Sequence, residues 1–156
     1  MKNAVVIYET LTGNTRKAGE RIARELAASG VAAVACPTTE IDYPALAAAD
    51  LVVVGTWTDG MVLFGQRPGR AGRLWSKVPA LDRKKTALYC TFAVAPGKTL
   101  PKLEAMLRDH QGADVIGGLA IRRNRIEDGA ETFVRQLVAL DAAPAKTAPA
   151  KSTTSA

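Results

Sequence analysis

Three hydroxyls crowd one short stretch of this chain. In Thr10-Leu11-Thr12-Gly13-Asn14-Thr15 they surround a glycine, and a helix-period segment follows directly. A phosphate dianion needs several converging hydrogen-bond donors. The hydroxyls of Thr10, Thr12 and Thr15 offer some, and the free N–H groups at a helix start, aided by the helix dipole, offer the rest. Gly13 lets the backbone come close. The plainer alternative is a threonine-rich turn with Asn14 as a helix cap. A second stretch, Thr56-Trp57-Thr58-Asp59-Gly60, also follows an apolar run. Trp57 offers a large flat face for stacking; its plainer role is a core residue or an anchor for the next helix. Together the two stretches predict a pocket with a phosphate at one end and a flat ring at the other.

Elements that alternate along the chain must position these loops. Residues 4–8 read as a first strand. Residues 15–29 read as a helix with Ala18, Ile22 and Leu26 on one face, ended by Gly30. Strands are expected at 31–36, 51–55, 85–91 and 114–121. The continuous apolar run Leu51-Val52-Val53-Val54-Gly55 suits a strand buried on both faces. Further helices are expected at 43–49, within 65–77 (where Pro68, Gly69 and Gly72 interrupt the pattern) and at 99–111. A last helix carries Phe133, Leu137 and Leu140 and starts at an Asp128/Glu131 capping box. Regular β-α alternation predicts a three-layer, doubly wound α/β fold with a five-stranded parallel sheet. Such sheets bind ligands at the carboxyl ends of strands, where the strand order reverses.

Size and composition agree with one domain. A chain of 156 residues buries roughly 70% of its unfolded surface. Residues 141–156 are mainly Ala, Pro, Lys, Ser and Thr, and read as a disordered tail after a folded part at 1–140. The net charge is +6, of which the tail holds +1. Two cysteines, Cys36 and Cys90, make no disulfide framework. The opening apolar run leads straight into Glu9, so no signal peptide is expected, and no run has the ~18 apolar residues of a membrane span. A reducing cytoplasm is the expected compartment.

Other chemistries find little support. No G-x-G-x-x-G follows the first strand. The first and third strands end in Glu9-Thr10 and Gly55-Thr56, which lacks the acidic cluster of a phosphorylated receiver. Cys36 has no arginine cradle, and one histidine with two distant cysteines makes no metal site. There is no aromatic-and-basic stripe for single-stranded nucleic acid.

The stretch 6–22, two aliphatics and an aromatic followed by T-x-T-G-x-T at a helix start, resembles the phosphate loop of the flavodoxin family. Thr56-Trp57-Thr58-Asp59-Gly60 resembles that family's T-W-G-D segment, whose tryptophan stacks on the isoalloxazine ring. The resemblance implies a flavodoxin-like fold with strand order 2-1-3-4-5 and FMN as cofactor. It implies that Thr10, Leu11, Thr12, Gly13, Asn14 and Thr15 bind the phosphate and that Trp57 stacks. Thr56, Thr58, Asp59 and Gly60 would line the ring edge. Thr91 and Phe92, in the loop after the fourth strand, would border the other side, although Phe92 reads equally well as core. Two departures stand out. Gly19 occupies a position where the family usually has Ala. Thr58 replaces the usual Gly, whose peptide flips toward flavin N5 on half-reduction. A β-branched residue resists the required positive φ, so weak stabilisation of the half-reduced flavin is expected.

The resemblance implies electron transfer between redox partner proteins; the alternative is an FMN-dependent oxidoreductase acting on a quinone or a porphyrinogen. Unlike the usual acidic member, this chain has Arg67, Arg70, Arg73 and Lys77 after the tryptophan loop and Arg122, Arg123 and Arg125 after the fifth strand. The plain reading is solvated surface. The sharper reading is a docking face, Arg67, Arg70 and Arg73 foremost, for an acidic redox partner. Positive charge would also favour the anionic reduced flavin and raise its potential.

Overall fold

A computed structural model describes residues 1–60 and 65–143. The elements run β1 (Asn3–Tyr8), α1 (Asn14–Ala28), β2 (Ala32–Pro37), α2 (Tyr43–Ala48), β3 (Leu51–Asp59), β4 (Arg67–Pro68), α3 (Ala71–Lys77), β5 (Lys85–Phe92), α4 (Thr99–Gln111), β6 (Asp114–Arg122) and α5 (Ile126–Ala142). Five strands pair in parallel in the order β2-β1-β3-β5-β6, and β4 pairs antiparallel with β3. Counting only the parallel strands, this is the expected order 2-1-3-4-5.

The strand sequences explain the layers. Alternate residues of a strand point to opposite faces. Val6, Tyr8, Val53, Ala87 and Tyr89 meet Ala18, Ile22 and Leu26 of α1 and Phe133 and Leu137 of α5. Val5, Ile7, Val52, Val54 and Leu88 meet Leu46, Leu74, Leu103 and Leu107 of α2, α3 and α4. Both faces of β1 and β3 are covered along residues 4–8 and 51–55, which are apolar without a break.

Four features differ from the sequence expectation. β3 does not stop at Gly55: it continues through Thr56, Trp57, Thr58 and Asp59. Trp57 pairs with Thr91, and Thr58 and Asp59 pair with Pro68 and Arg67, so β-branched and aromatic residues with partners on both sides stay extended. The turn comes at Gly60, with φ 100°. The last helix begins at Ile126 rather than at a capping box; its N-cap, Arg125, makes no side-chain bond, and Asp128 joins Glu127 in the first turn, where the helix dipole favours them. That helix also continues through Asp141 and Ala142, and Leu140 is half exposed on it rather than in the core. Residues 144–156 of the expected tail lie outside the described residues. Among those described, no helix is long and apolar enough to cross a membrane.

Tyr89 accounts for Gly19. Its side chain is fully buried between α1 and β3, and its hydroxyl donates to the Thr15 carbonyl at 2.9 Å. A Cβ on Gly19 would come within 2.6 Å of that hydroxyl, and one on Gly55 would overlap the ring. Alanine at position 19 would therefore collide with the phenol that supports the start of α1.

Candidate functional site

β1 and β3 end side by side where the chain's progression across the sheet reverses, with β2 on one side and β5 on the other. The loop after β1 folds back on itself. The Gly13 N–H donates to Thr10 Oγ1 at 3.1 Å, and Asn14 Nδ2 donates to Thr12 Oγ1 at 3.2 Å. Gly13 adopts φ 89°, caps α1 without a side-chain bond, and no acidic residue occupies the first turn. A Cβ at Gly13 would meet nothing within 4 Å. An uncapped helix start behind a glycine facing open space is the arrangement an anionic group requires.

A cavity of about 180 Å³ opens beside this loop. Leu11, Thr12 and Asn14 line it from the first loop, Trp57 and Thr58 from β3, and Thr91 and Phe92 from β5. Ala93 and Arg123 complete the wall; neither was singled out as a site residue from the sequence. The cluster of arginines after the last strand was the available signal for Arg123, whose backbone N–H donates to the Phe92 carbonyl at 2.9 Å.

The other expected site residues stand behind or beside this wall. Thr15 is buried, its hydroxyl 2.9 Å from that of Thr91. Thr56 is buried too and donates its hydroxyl to the Gly69 carbonyl at 2.7 Å. Thr10 accepts from Gly13 as described. Asp59 lies 3.7 Å from Arg67, and Gly60 forms the exposed turn after β3. Thr58 is extended; among the described residues only Arg70, Asp82 and Arg83 combine a side chain with positive φ. The Thr58 hydroxyl points back to Cys90 Sγ at 3.8 Å. Burial pushes the Cys90 thiol up to about 11 and the Tyr89 phenol well above its ordinary value.

The three arginines after the tryptophan loop each have a carboxylate neighbour, a buried one for Arg70 and Arg73 and a half-exposed one for Arg67. Arg67 faces Asp59, while Arg70 and Arg73 reach Glu9 Oε1 at 3.0 and 3.5 Å. Arg122, Arg123 and Arg125 are exposed and form no ion pair among the described residues.

A larger cavity, about 830 Å³, opens at the opposite end of the sheet. It lies at the amino ends of the strands, away from the edge where doubly wound sheets bind ligands. Two of its three carboxylates are already engaged: Asp50 accepts from the Lys2 and Asn3 N–H groups, and Asp141 pairs with the chain's amino terminus and Lys85. The smaller cavity is the functional candidate. No group of three metal-binding side chains occurs among the described residues.

Fold and site together define a doubly wound α/β protein with an uncapped helix start and an aromatic-walled cavity at its switch point. Residues 5–106 match the family model described as "Flavodoxin domain". Solved structures agree on the fold. A flavodoxin from Pseudomonas aeruginosa, solved as a cysteine-to-serine mutant, is 16% identical with TM-score 0.67, covering 90% of this chain and 98% of that one. The two-electron reduced Megasphaera elsdenii flavodoxin is 19% identical with TM-score 0.66, covering 85% and 98%. Rubredoxin oxygen:oxidoreductase from Desulfovibrio gigas is 18% identical with TM-score 0.64; the match covers 92% of this chain but 38% of that one. No curated protein sequence matched. The chain belongs to the flavodoxin domain family. FMN is the cofactor of that family, and flavin-dependent electron transfer is its function. The uncapped α1 start and the cavity walled by Trp57 and Phe92 fit such a group.

Proposed function

We propose that this protein is an FMN-dependent electron carrier that shuttles electrons between redox partner proteins. The observation that carries the reading is the chemistry of the cavity wall. Among the described residues it has two aromatic rings, threonines and one arginine, but no carboxylate, histidine or cysteine to move a proton to or from a small substrate. That favours a carrier over an oxidoreductase acting on a quinone or a porphyrinogen. Bound FMN supplies the redox chemistry, and the protein's part is to hold it and tune its surroundings.

The N–H groups opening α1 and the Thr12 hydroxyl hold the phosphate, with Leu11, Gly13 and Asn14 shaping the loop. Thr10 and Thr15 support that loop through bonds of their own. Trp57 stacks on the ring, Phe92 and Thr91 border its other side, and Thr58 lies at its edge. Thr56, Asp59 and Gly60 hold the β3 extension in place.

The docking partner is acidic. Arg67, Arg70 and Arg73 were the sequence's choice of contact, but Asp59 and Glu9 offset part of their charge. Arg122, Arg123 and Arg125 are better placed to attract it, and the exposed Leu11 and Val94 supply apolar contact beside the cavity. Two buried free thiols suit a reducing compartment, the cytoplasm.

The test is to load the protein with FMN, desalt it and record its visible spectrum. The loaded protein is then offered an acidic flavoprotein reductase, and separately a free quinone. Retained flavin bands with salt-sensitive reduction by the reductase support the carrier. Rapid turnover of the quinone would overturn it in favour of the enzyme.

A further inference from the structure

Glu9, directly ahead of the phosphate loop, is a carboxylate with 3% exposure. A buried carboxylate needs both charge pairing and hydrogen bonds. Thr38 donates its hydroxyl to Oε2, and Arg70 and Arg73 approach Oε1. Arg70 in turn lies over Trp57, its guanidinium carbon 5.8 Å from the ring centroid, within cation–π range. The neighbouring backbone closes the arrangement. The Gly69 N–H donates to the Trp57 carbonyl at 2.8 Å, and a Cβ on Gly69 would overlap the indole. Arg70 itself holds φ 46°. That conformation is costly for a residue with a side chain and persists where the surroundings over-determine it.

We propose that Glu9 and Arg70 are positioning residues for Trp57: the carboxylate clamps the guanidinium, and the guanidinium with Gly69 holds the indole against the cavity. This rests on the reading of Trp57 as the ring that meets the flavin. The clamp ties the strand that leads into the phosphate loop to the wall of the ring site. Trp57 is thereby ordered before a ligand arrives, which lowers the entropic cost of binding.

The experiment uses a Trp75→Phe background, which leaves Trp57 as the sole tryptophan. Arg70→Met keeps the reach and removes the charge; Arg70→Lys keeps the charge. In the protein without flavin, acrylamide quenching of Trp57 fluorescence should rise in Arg70→Met and return toward the parent in Arg70→Lys. FMN and riboflavin dissociation constants should rise together in Arg70→Met, by about fivefold, because the effect acts at the ring end. Glu9→Gln should repeat the pattern where its thermal melt remains cooperative; the exposed Arg70 variants decide the matter in any case. Unchanged quenching in Arg70→Met overturns the clamp. Failure of the parent to retain FMN would overturn the flavin reading, while the quenching comparison would still decide the clamp.

Discussion

The hydroxyls of Thr15 and Thr91 meet at 2.9 Å, although 76 residues separate them in sequence. This contact joins the first turn of α1 to the end of β5, so one buried bond links the loop after β1 to the strand that carries Phe92. Thr15→Val and Thr91→Val should each lower the unfolding free energy by about 1–2 kcal/mol, because each leaves the other hydroxyl buried and unpaired. The double variant should cost less than the sum of the two, as denaturant unfolding of all four proteins would reveal.

Gly13 separates backbone strain from ligand contact. Gly13→Ala has free space for its methyl, so without flavin the cost is the left-handed backbone alone, about 1 kcal/mol. With FMN bound as proposed, the methyl would meet the phosphate. Titration should show FMN affinity falling well beyond riboflavin affinity in this variant.

Thr58 is fixed in an extended bridge with Pro68. Little half-reduced flavin should accumulate during reductive titration of the parent protein. Thr58→Gly relaxes the barrier to positive φ at that position, and the half-reduced signal should grow. A strong signal already present in the parent would contradict this account.

The Cys90 thiol gives a pH signature. Its pKa rises from 9.0 in the unfolded chain to about 11 in the fold, because burial disfavours the thiolate. The stability it contributes is fully present below pH 9 and is lost as pH rises toward 11. The loss amounts to about 2–3 kcal/mol. Cys90→Ala should flatten the pH dependence of unfolding across that window relative to the parent, with little change in slope near neutral pH.

The arginine placement separates two docking faces. If Arg122, Arg123 and Arg125 attract an acidic reductase, Arg123→Glu should slow electron exchange at low salt by about tenfold. Arg67→Glu should matter less. High salt should bring the parent and both variants together, which stopped-flow reduction at two ionic strengths would measure.

The β-α alternation, the loop after β1 and the position of Trp57 were readable because each depends on short-range pattern: apolar runs, a glycine in a threonine-rich turn, an aromatic after a strand. The sheet order, set by long-range pairing, came only with the family resemblance. The β3 extension was less visible. Thr56, Trp57 and Thr58 all favour strands, but their partners in β4 and β5 come from further along the chain. Tertiary pairing likewise decided which threonines face the cavity. Thr12 does, whereas Thr15 and Thr56 turn to Thr91 and Gly69. Glu9 gave no local sign of its role, because its arginine partners lie 61 and 64 residues later. The same long separation hid the internal pairing of two arginines that the sequence assigned to docking.

The Tyr89 phenol, lodged where Gly19 and Gly55 lack side chains, has a consequence for how this chain can diverge. Positions 19, 55 and 89 cannot drift independently: alanine at 19 becomes admissible only once the phenolic oxygen is gone, and a side chain at 55 only once the ring itself has shrunk. A designer wishing to install the more usual alanine should therefore begin with Tyr89→Phe, and the reverse order of changes should pass through an unstable intermediate protein.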